Sequence, residues 1–212
     1  MFITFEGSEG SGKTTQIKLL AKHLRDQGKT VIVTRQPGGT DIGVQIRQVL
    51  HDVNNQAMTS PAEILLYSAD RAQHVEELIK PALAEGTIVL CDRYSDSTYA
   101  YQGYGRGLDL AQLKMITEFA TGGLQPDLSF FLHVDIEEGL RRREVGNLEM
   151  NRMDLQKKAF YDRVEAGYRE LITTDPGRWI EVDASKPIEA VQTALQQAFS
   201  NSRQQKTAEI ND

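Results

Sequence analysis

The chain reads Gly7-Ser8-Glu9-Gly10-Ser11-Gly12-Lys13-Thr14 close to its start, with the spacing G-x-x-x-x-G-K-[ST] of a phosphate-binding loop. A short apolar run, Phe2-Ile3-Thr4-Phe5, precedes it, and a helical pattern begins near Lys13. Glycines allow the positive φ values and close backbone approach that a bound polyphosphate requires. The helix that follows directs its free N–H groups at the anion. This strand, loop and helix predict a domain that binds nucleoside triphosphates.

Two side chains of this loop carry a specific chemistry. Lys13 brings a positive charge to the β- and γ-phosphates, and Thr14 offers a hydroxyl to Mg²⁺. The predicted triphosphate site consists of Gly7, Ser8, Glu9, Gly10, Ser11, Gly12, Lys13, Thr14 and Thr15.

Composition restricts the class of protein. A length of 212 residues suits one α/β domain, and a net charge of −6 does not favour a surface built for nucleic acid. Cys91 is the single cysteine, which excludes an internal disulfide and fits a reducing cytosol. No apolar run approaches membrane-spanning length, and the start of the chain lacks signal-peptide features. We expect a cytoplasmic protein without a membrane or nucleic-acid partner.

Strands and helices alternate along the chain. The strand candidates are five short apolar runs, namely Phe2–Phe5, Val31–Thr34, Ile88–Cys91, Leu128–Val134 and Trp179–Val182. Such alternation predicts a parallel sheet with helices on both faces, and ligands then bind beyond the carboxyl ends of the strands. We expect one domain over residues 1–199 and a polar, frayed tail over 200–212.

Several helix boundaries carry their own signals. Ser60 and Pro61 indicate an N-cap and the first position of a helix that runs to about Lys80. Asp135 with Glu138 predicts a capping box after the fourth strand, and Pro187 opens the last helix.

Residues that could bind a metal ion or a phosphate follow two of the strands. Asp92 closes the third strand beside the phosphate loop, where a Mg²⁺-associated carboxylate belongs, and Arg93 can grip a phosphate in a two-pronged contact. A solvated strand end with a surface ion pair is the alternative, but the phosphate loop favours function. The segment Thr34–Thr40 closes the second strand and is either a shaped ligand loop or a plain turn.

Two further groups suit recognition of a base. Tyr67, Arg71 and His74 form one helical stripe, which indicates either a grip on a planar base or a core tyrosine with a surface arginine. We expect His74 at the surface or the boundary. The side chains after Arg93 include hydroxyl and amide groups that can read a base edge, namely those of Ser97, Thr98, Tyr101 and Gln102. We expect glycines 103, 105 and 107 to break the helix that follows.

A basic run, Arg141-Arg142-Arg143, lies beyond the fourth strand. Such a run is often a solvated helix face. Arginines on a closing lid can instead stabilise the migrating phosphoryl group. We favour the lid, because the variable positions of the phosphate loop contain no arginine.

Taken together, these motifs resemble bacterial thymidylate kinases. The resemblance covers Phe2 to about Phe199 and rests on Glu6–Thr15, Thr34–Thr40, Asp92-Arg93-Tyr94 through Gly103, and Asn151-Arg152-Met153-Asp154. It implies a P-loop NTPase fold with a five-stranded parallel core, a short arginine-rich lid at about 136–155, and commonly a homodimer. It also implies transfer of the γ-phosphoryl of ATP to dTMP with Mg²⁺, giving dTDP and ADP.

The resemblance also implies residue roles. Tyr67 would stack on thymine, while Arg71, Thr98 and Gln102 would meet its edge. Tyr101 would pack by the deoxyribose, and Glu9 would take the 3′-hydroxyl. Arg93 would hold the monophosphate, with Arg35, Arg47 and Ser97 on the same substrate. Arg152 would lie near the ATP base. The expected catalytic groups are Lys13, Arg93, Arg141, Arg142 and Arg143, and the expected metal-binding groups are Thr14 and Asp92.

One residue departs from the family pattern, which usually has Glu where Gln36 stands. The amide keeps the hydrogen-bonding shape without the charge, so we expect activity with an altered metal dependence. Two other functions stay open. The chain could phosphorylate another nucleoside monophosphate, or act as a nucleotide-dependent regulator. Against a regulator, the chain has no Asn-Lys-x-Asp motif and Arg93 follows the strand-end aspartate.

Overall fold

The structure is a computed structural model that describes residues 1–145, 152–153 and 155–211, with side chains except those of Arg143 and 203–211. Its centre is a five-stranded, wholly parallel sheet. The strands are β1 (Phe2–Glu6), β2 (Val31–Arg35), β3 (Ile88–Asp92), β4 (Leu128–His133) and β5 (Trp179–Asp183). Each predicted strand is therefore confirmed to within one residue at its ends.

The strand order β2-β3-β1-β4-β5 places β1 at the middle of the sheet. Phe5 pairs with Asp92 on one side, and Glu6 pairs with Phe131 on the other. The loop that leaves β1 consequently begins beside Asp92 and the segment after β3. Because all strands run the same way, the loop after Arg35 opens at this edge too.

Helices cover both faces of the sheet, as predicted. Those of the first half are α1 (Lys13–Asp26), α2 (Asp41–His51), α3 (Ser60–His74), α4 (Lys80–Ala84) and α5 (Ser95–Thr98). Those of the second half are α6 (Leu110–Thr121), α7 (Ile136–Val145), α8 (Lys158–Thr174) and α9 (Ile188–Asn211). Within the described residues, none of the helices is long and apolar enough to cross a bilayer.

The core is layered around the sheet. On one face α1 and α9 bury a continuous apolar cluster that includes Ile17, Leu24 and Leu195. The other face packs against two smaller clusters, one around Val75 and Tyr94 and one that joins aromatic residues of α8 to Phe131 and Trp179 of the sheet. These layers bury β1 and β3, and so position the loops that leave them.

The helix predicted from Ser60 to about Lys80, α3, differs from its prediction at both ends. Thr59, not Ser60, is the N-cap, and its hydroxyl accepts from the backbone N–H of Ala62 at 3.5 Å. Beyond α3 the backbone makes a π-helical turn over Val75–Ile79 and continues through Pro81 into α4. Proline is tolerated there because it lies in the first turn of α4, where its missing N–H is not needed.

The prediction that glycines 103, 105 and 107 break a helix is correct in part. Glycines 103 and 105 lie within a π-helical segment, Tyr99–Gly105, which ends just before Gly107 with its φ of 76°. A Cβ on Gly105 would stand 2.7 Å from Phe160, so glycine lets α8 pack closely on this segment.

The last helix, α9, continues past Ser200 to Asn211 over a segment without glycine or proline. A frayed tail over 200–212 stays a prediction.

Candidate active site

The phosphate loop joins β1 to α1 and takes the backbone shape that its glycines predict. Gly7, Gly10 and Gly12 have φ values of 134°, 73° and 84°. A Cβ on Gly10 would lie 1.9 Å from the carbonyl oxygen of Gly139. Glycine at position 10 therefore allows the helix α7, which carries the basic run, to pack directly on the loop.

Lys13 is folded over its own loop. Its Nζ donates to the carbonyl oxygens of Gly7 at 3.1 Å and Ser8 at 2.8 Å, and to Ser11 Oγ at 3.2 Å. Burial, with a smaller contribution from Arg93, lowers the pKa of Lys13 to about 8. The ammonium group thus keeps its proton at neutral pH, and it is poorly hydrated.

Thr14 and Asp92 meet beside the loop, since the Thr14 hydroxyl donates to Asp92 Oδ2 at 2.8 Å. Mg²⁺ in phosphoryl-transfer sites is held by one or two protein oxygens, with water and phosphate oxygens filling the other positions. This pair fits that requirement. Within the described residues no group of three or more His, Cys, Asp or Glu side chains offers a site made only of protein ligands. Thr14 and Asp92 therefore suit a Mg²⁺ ion that water and phosphate oxygens also coordinate.

Arg93 lies directly after β3 with a left-handed backbone, φ 70°. Its guanidinium donates to Glu9 Oε1 at 2.7 Å, to Tyr101 Oη at 3.0 Å and to Ser97 Oγ at 3.2 Å. Burial opposes its charge, but Tyr101 and Glu9 raise the pKa of Arg93 well above the usual value. The predicted neighbours Glu9, Ser97 and Tyr101 are thus brought together around one permanent cation.

Behind Arg93 lies a carboxyl group that sequence reasoning did not single out. Glu6 is fully buried and accepts from the backbone N–H of Tyr94 at 2.8 Å, Ser97 Oγ at 2.6 Å and Tyr168 Oη at 2.8 Å. Burial raises the pKa of Glu6 to about 7, with Asp96 adding to the shift and Arg93 opposing it. Ser97 and Tyr168 also accept from Arg93, and so connect the two charges.

Arg71 is 2% exposed, contrary to the interpretation of a surface arginine. Its Nε donates to Gln36 Oε1 at 3.0 Å and its Nη2 to the carbonyl of Tyr94 at 3.2 Å. Tyr67 lies on the same stripe, and burial, together with Glu63, raises the pKa of its phenol to about 12. The third member, His74, is fully buried rather than at the surface.

A second buried carboxylate, Glu63, closes the far end of this region. Gln102 Nε2 donates to its Oε1 at 2.8 Å and Arg106 Nη2 to its Oε2 at 3.1 Å. Arg152 also donates to Glu63 Oε2, and its Nε donates to the carbonyl of Leu50 at 3.0 Å. The resemblance implies that Arg152 lies near the ATP base, but in the structure Arg152 pairs with Glu63, a buried carboxylate that requires opposite charge. Glu63 and Arg106 were missed.

Arg35 and Arg47 face the cleft from β2 and α2. Arg47 Nη1 donates to the carbonyl of Pro37 at 2.9 Å. Burial and then the charge of Arg35 lower the pKa of Arg47. Two positive charges that face the same cleft, those of Arg35 and Arg47, indicate a place for an anion.

The basic run lies on α7. Asp135 caps this helix by accepting from the backbone N–H of Glu137 at 2.9 Å, as predicted, but the Glu138 side chain does not complete a capping box. It instead accepts from Arg141 and Arg142, each at 2.7 Å. Arg142 also donates to the carbonyl of Ala184 at 2.9 Å and lines the cleft. The side chain of Arg143 lies outside the described residues.

One cleft of about 1450 Å³ joins these groups. It extends from Tyr67, Arg71, Thr98 and Gln102, past the phosphate loop, to residues 184–188. Sites for a single small ligand are usually about 300–1,000 Å³. The cleft is therefore large enough for two ligands, and Lys13 is part of its lining.

Comparisons with known proteins agree with this geometry. A family model described as thymidylate kinase matches residues 5–195. The thymidylate kinase of Roseiflexus sp. (strain RS-1) is 52% identical over 202 residues, covering 90% of this chain and 89% of the relative. That of Geotalea uraniireducens (strain Rf4) is 49% identical over 199 residues, covering 92% and 93%.

A solved structure is also similar. The crystal structure of thymidylate kinase from Ehrlichia chaffeensis aligns with a TM-score of 0.78 at 33% identity, covering 94% of this chain and 98% of that one. The sheet and loop described above therefore have the P-loop NTPase fold predicted from the sequence.

Proposed function

The chain belongs to the thymidylate kinase family and transfers the γ-phosphoryl of ATP to dTMP, giving dTDP and ADP on the route to dTTP, and we propose that its cleft holds the two substrates on opposite sides of Lys13. The observation that carries this proposal is one cleft with the phosphate loop between its two ends. Buried aromatic and amide side chains line one end, and residues 184–188 line the other. The comparisons support neither another nucleoside monophosphate as the acceptor nor a nucleotide-dependent regulator.

ATP occupies the side that includes residues 184–188. The loop amides and the N-terminus of α1 surround its β- and γ-phosphates, and Lys13 exchanges its contacts with loop carbonyls for phosphate oxygens. The proposed ATP contacts are those predicted from the sequence, without Arg152: Gly7, Ser8, Glu9, Gly10, Ser11, Gly12, Lys13, Thr14 and Thr15.

dTMP occupies the other side. Tyr67 stacks on the base, and Arg71 and Gln102 offer hydrogen-bond donors to its edge beside Thr98. Arg93 holds the monophosphate, and Glu9, already paired with Arg93, accepts from the 3′-hydroxyl. The guanidinium carbon of Arg93 lies 4.9 Å from the centre of the Tyr101 ring, and this ring packs beside the sugar. Arg35, Arg47 and Ser97 complete the acceptor site.

The chemistry needs alignment and compensation of charge rather than a covalent intermediate. Lys13 and Arg93 approach the transferred group from its two sides. Among the arginines of α7 whose side chains are described, Arg142 lines the cleft, and it compensates charge on the migrating phosphoryl group together with Arg141 or Arg143. Thr14 and Asp92 would hold Mg²⁺, which would supply charge neutralisation at the phosphate oxygens.

We further propose a homodimer in the cytoplasm, with one kinase domain over residues 1–199 and a lid at about 136–155. Helices α3 and α6 pack together and expose large apolar side chains, Leu65 at 59%, Met115 at 65% and Phe119 at 91%. Exposed apolar residues on neighbouring helices suit a contact between two copies. The only cysteine, Cys91, is buried and free, as expected in a reducing compartment.

A panel of monophosphates in a coupled ADP-release assay tests the assignment of the acceptor. We expect faster turnover of dTMP than of AMP or GMP. Arg71→Ala should raise the KM for dTMP at least tenfold and leave the KM for ATP within twofold. Arg169→Ala is the matched control, because Arg169 is half-exposed and pairs with Glu181 outside the cleft. Faster turnover of AMP or GMP would overturn the acceptor, and an unchanged KM for dTMP in Arg71→Ala would overturn the base site.

A further inference from the structure

A chain of hydrogen bonds leads from the core to the proposed base site. His74, at the end of α3, is fully buried, with its Nε2 2.6 Å from Thr34 Oγ1. Its Nδ1 lies 3.0 Å from Gln36 Nε2. The other end of the same amide, Gln36 Oε1, accepts from Arg71 Nε at 3.0 Å. Gln36 is 5% exposed, so water does not compete for these contacts.

The partners determine which way the Gln36 amide points. Arg71 Nε is always a donor, so it requires the amide oxygen. The amino group must then face His74, whose Nδ1 has to accept. His74 is consequently the neutral tautomer that carries its proton on Nε2 and donates to Thr34. Burial and the charge of Arg71 lower the pKa of His74 to about 4, which keeps Nδ1 free of a proton at neutral pH.

This arrangement also fixes what Arg71 presents to the cleft. Gln36 occupies its Nε, and the carbonyl of Tyr94 occupies its Nη2. Its Nη1 is buried and has no hydrogen-bond partner among the described residues, although Arg71 lines the cleft. Buried donors of this kind are rarely left unpaired, so Nη1 is the group with capacity for a ligand.

We propose that His74 is a positioning residue for the acceptor nucleotide: by accepting from the Gln36 amide, it holds the amide oxygen on Arg71 and leaves Arg71 Nη1 for a carbonyl oxygen of the base. The proposal rests on the proposed function only in its last step, because the state of His74 and of the amide is independent of any substrate. If the amide were reversed, its amino group would oppose the Arg71 N–H and its oxygen would oppose a lone pair of His74.

Nuclear magnetic resonance of the ¹⁵N-histidine-labelled full chain tests the relay without substrate. We expect His74 as the Nε2–H tautomer near pH 7. Gln36→Glu offers two acceptor oxygens, so His74 must then donate from Nδ1, and its signals should change to the Nδ1–H or doubly protonated form. An Nδ1–H tautomer in the wild type, or no change in Gln36→Glu, would overturn the proposal.

Kinetics test the connection to the substrate. His74→Leu removes the acceptor for the amide and should raise the KM for dTMP about tenfold, with the KM for ATP within twofold. Val75→Ala is the control, because Val75 is the next residue, equally buried, and contributes only apolar packing. An unchanged KM for dTMP in His74→Leu, or an equal rise in Val75→Ala, would contradict the proposal. If His74→Leu does not fold, the tautomer of the wild type decides.

These arms separate the two proposals. If Arg71→Ala leaves the KM for dTMP unchanged, the base site is wrong whatever the tautomer of His74. If Arg71→Ala raises that KM but His74→Leu does not, the base site stands and the positioning role of His74 is wrong.

Discussion

Replacing Glu6 with glutamine should change how the stability of this kinase depends on pH. Glu6 is fully buried behind Arg93, and burial raises its pKa to about 7 from 4.5. The folded protein therefore holds a proton on Glu6 more tightly than the unfolded chain does. The stability that this proton contributes is complete below pH 4.5 and is lost as the pH rises through 7.

The shift sets the magnitude. A pKa raised from 4.5 to about 7 corresponds to about 3 kcal/mol, at about 1.36 kcal/mol for each pKa unit. Most of this free energy is lost between pH 5 and pH 8. The amide of Glu6→Gln has no proton to lose over this range. It can still accept from the backbone N–H of Tyr94, while its amino group donates to a hydroxyl oxygen of Ser97 or Tyr168.

Urea unfolding at pH 5, 6, 7 and 8 measures the effect. The free energy of unfolding of Glu6→Gln, relative to the wild type, should rise by about 2 to 3 kcal/mol from pH 5 to pH 8. Glu118→Gln makes the same chemical change on the exposed face of α6 and should show a constant difference. A constant difference for Glu6→Gln as well would mean that Glu6 stays ionised throughout, and the burial argument would be refuted.

Three other predictions follow from the site. Lys13→Ala should lower kcat at least ~100-fold with unchanged thermal unfolding, because Lys13 compensates phosphate charge. The control Lys18→Ala, at an exposed position of the same helix, should leave kcat unchanged. Equal kcat values for the two variants would contradict the role of Lys13. Asp92→Asn should raise the Mg²⁺ concentration needed for half-maximal rate, measured by titration at fixed ATP, and an identical curve would remove Asp92 from the metal site. Phe119→Glu should shift the mass in sedimentation from dimer to monomer, and an unchanged mass would exclude α6 from the interface.

Local patterns were sufficient for the sheet and the phosphate loop. A buried parallel strand is a short apolar run, and the loop requires glycine at fixed positions, so both leave signals within a few residues. Asp92 and Arg93 could be located for the same reason, because they end a strand next to the loop.

The remaining site depends on contacts between distant parts of the chain. Tyr168 contacts Glu6 across 162 positions, and the partners of Glu63 come from two distant segments, Gln102 and Arg106 from one and Arg152 from the other. No periodicity predicts such contacts. His74 was expected at the surface or the boundary, whereas two hydrogen bonds satisfy it inside the core.

The role of Gln36 also became clear only in three dimensions. From the sequence, the amide was expected to keep the hydrogen-bonding shape of the usual glutamate and to alter the metal dependence. The structure shows one such hydrogen bond, which Gln36 Oε1 accepts from Arg71 Nε. An effect on Mg²⁺ dependence stays a prediction, which the Mg²⁺ titration of Gln36→Glu tests.

A crystal structure with dTMP, Mg²⁺ and a non-hydrolysable ATP analogue tests where both substrates bind. We expect phosphate oxygens about 2.7–3.2 Å from the loop amides and from Lys13 Nζ, with the thymine base against Tyr67 and Arg71. A triphosphate bound away from the loop, or a thymine base outside the end of the cleft that contains Arg71, would contradict this expectation.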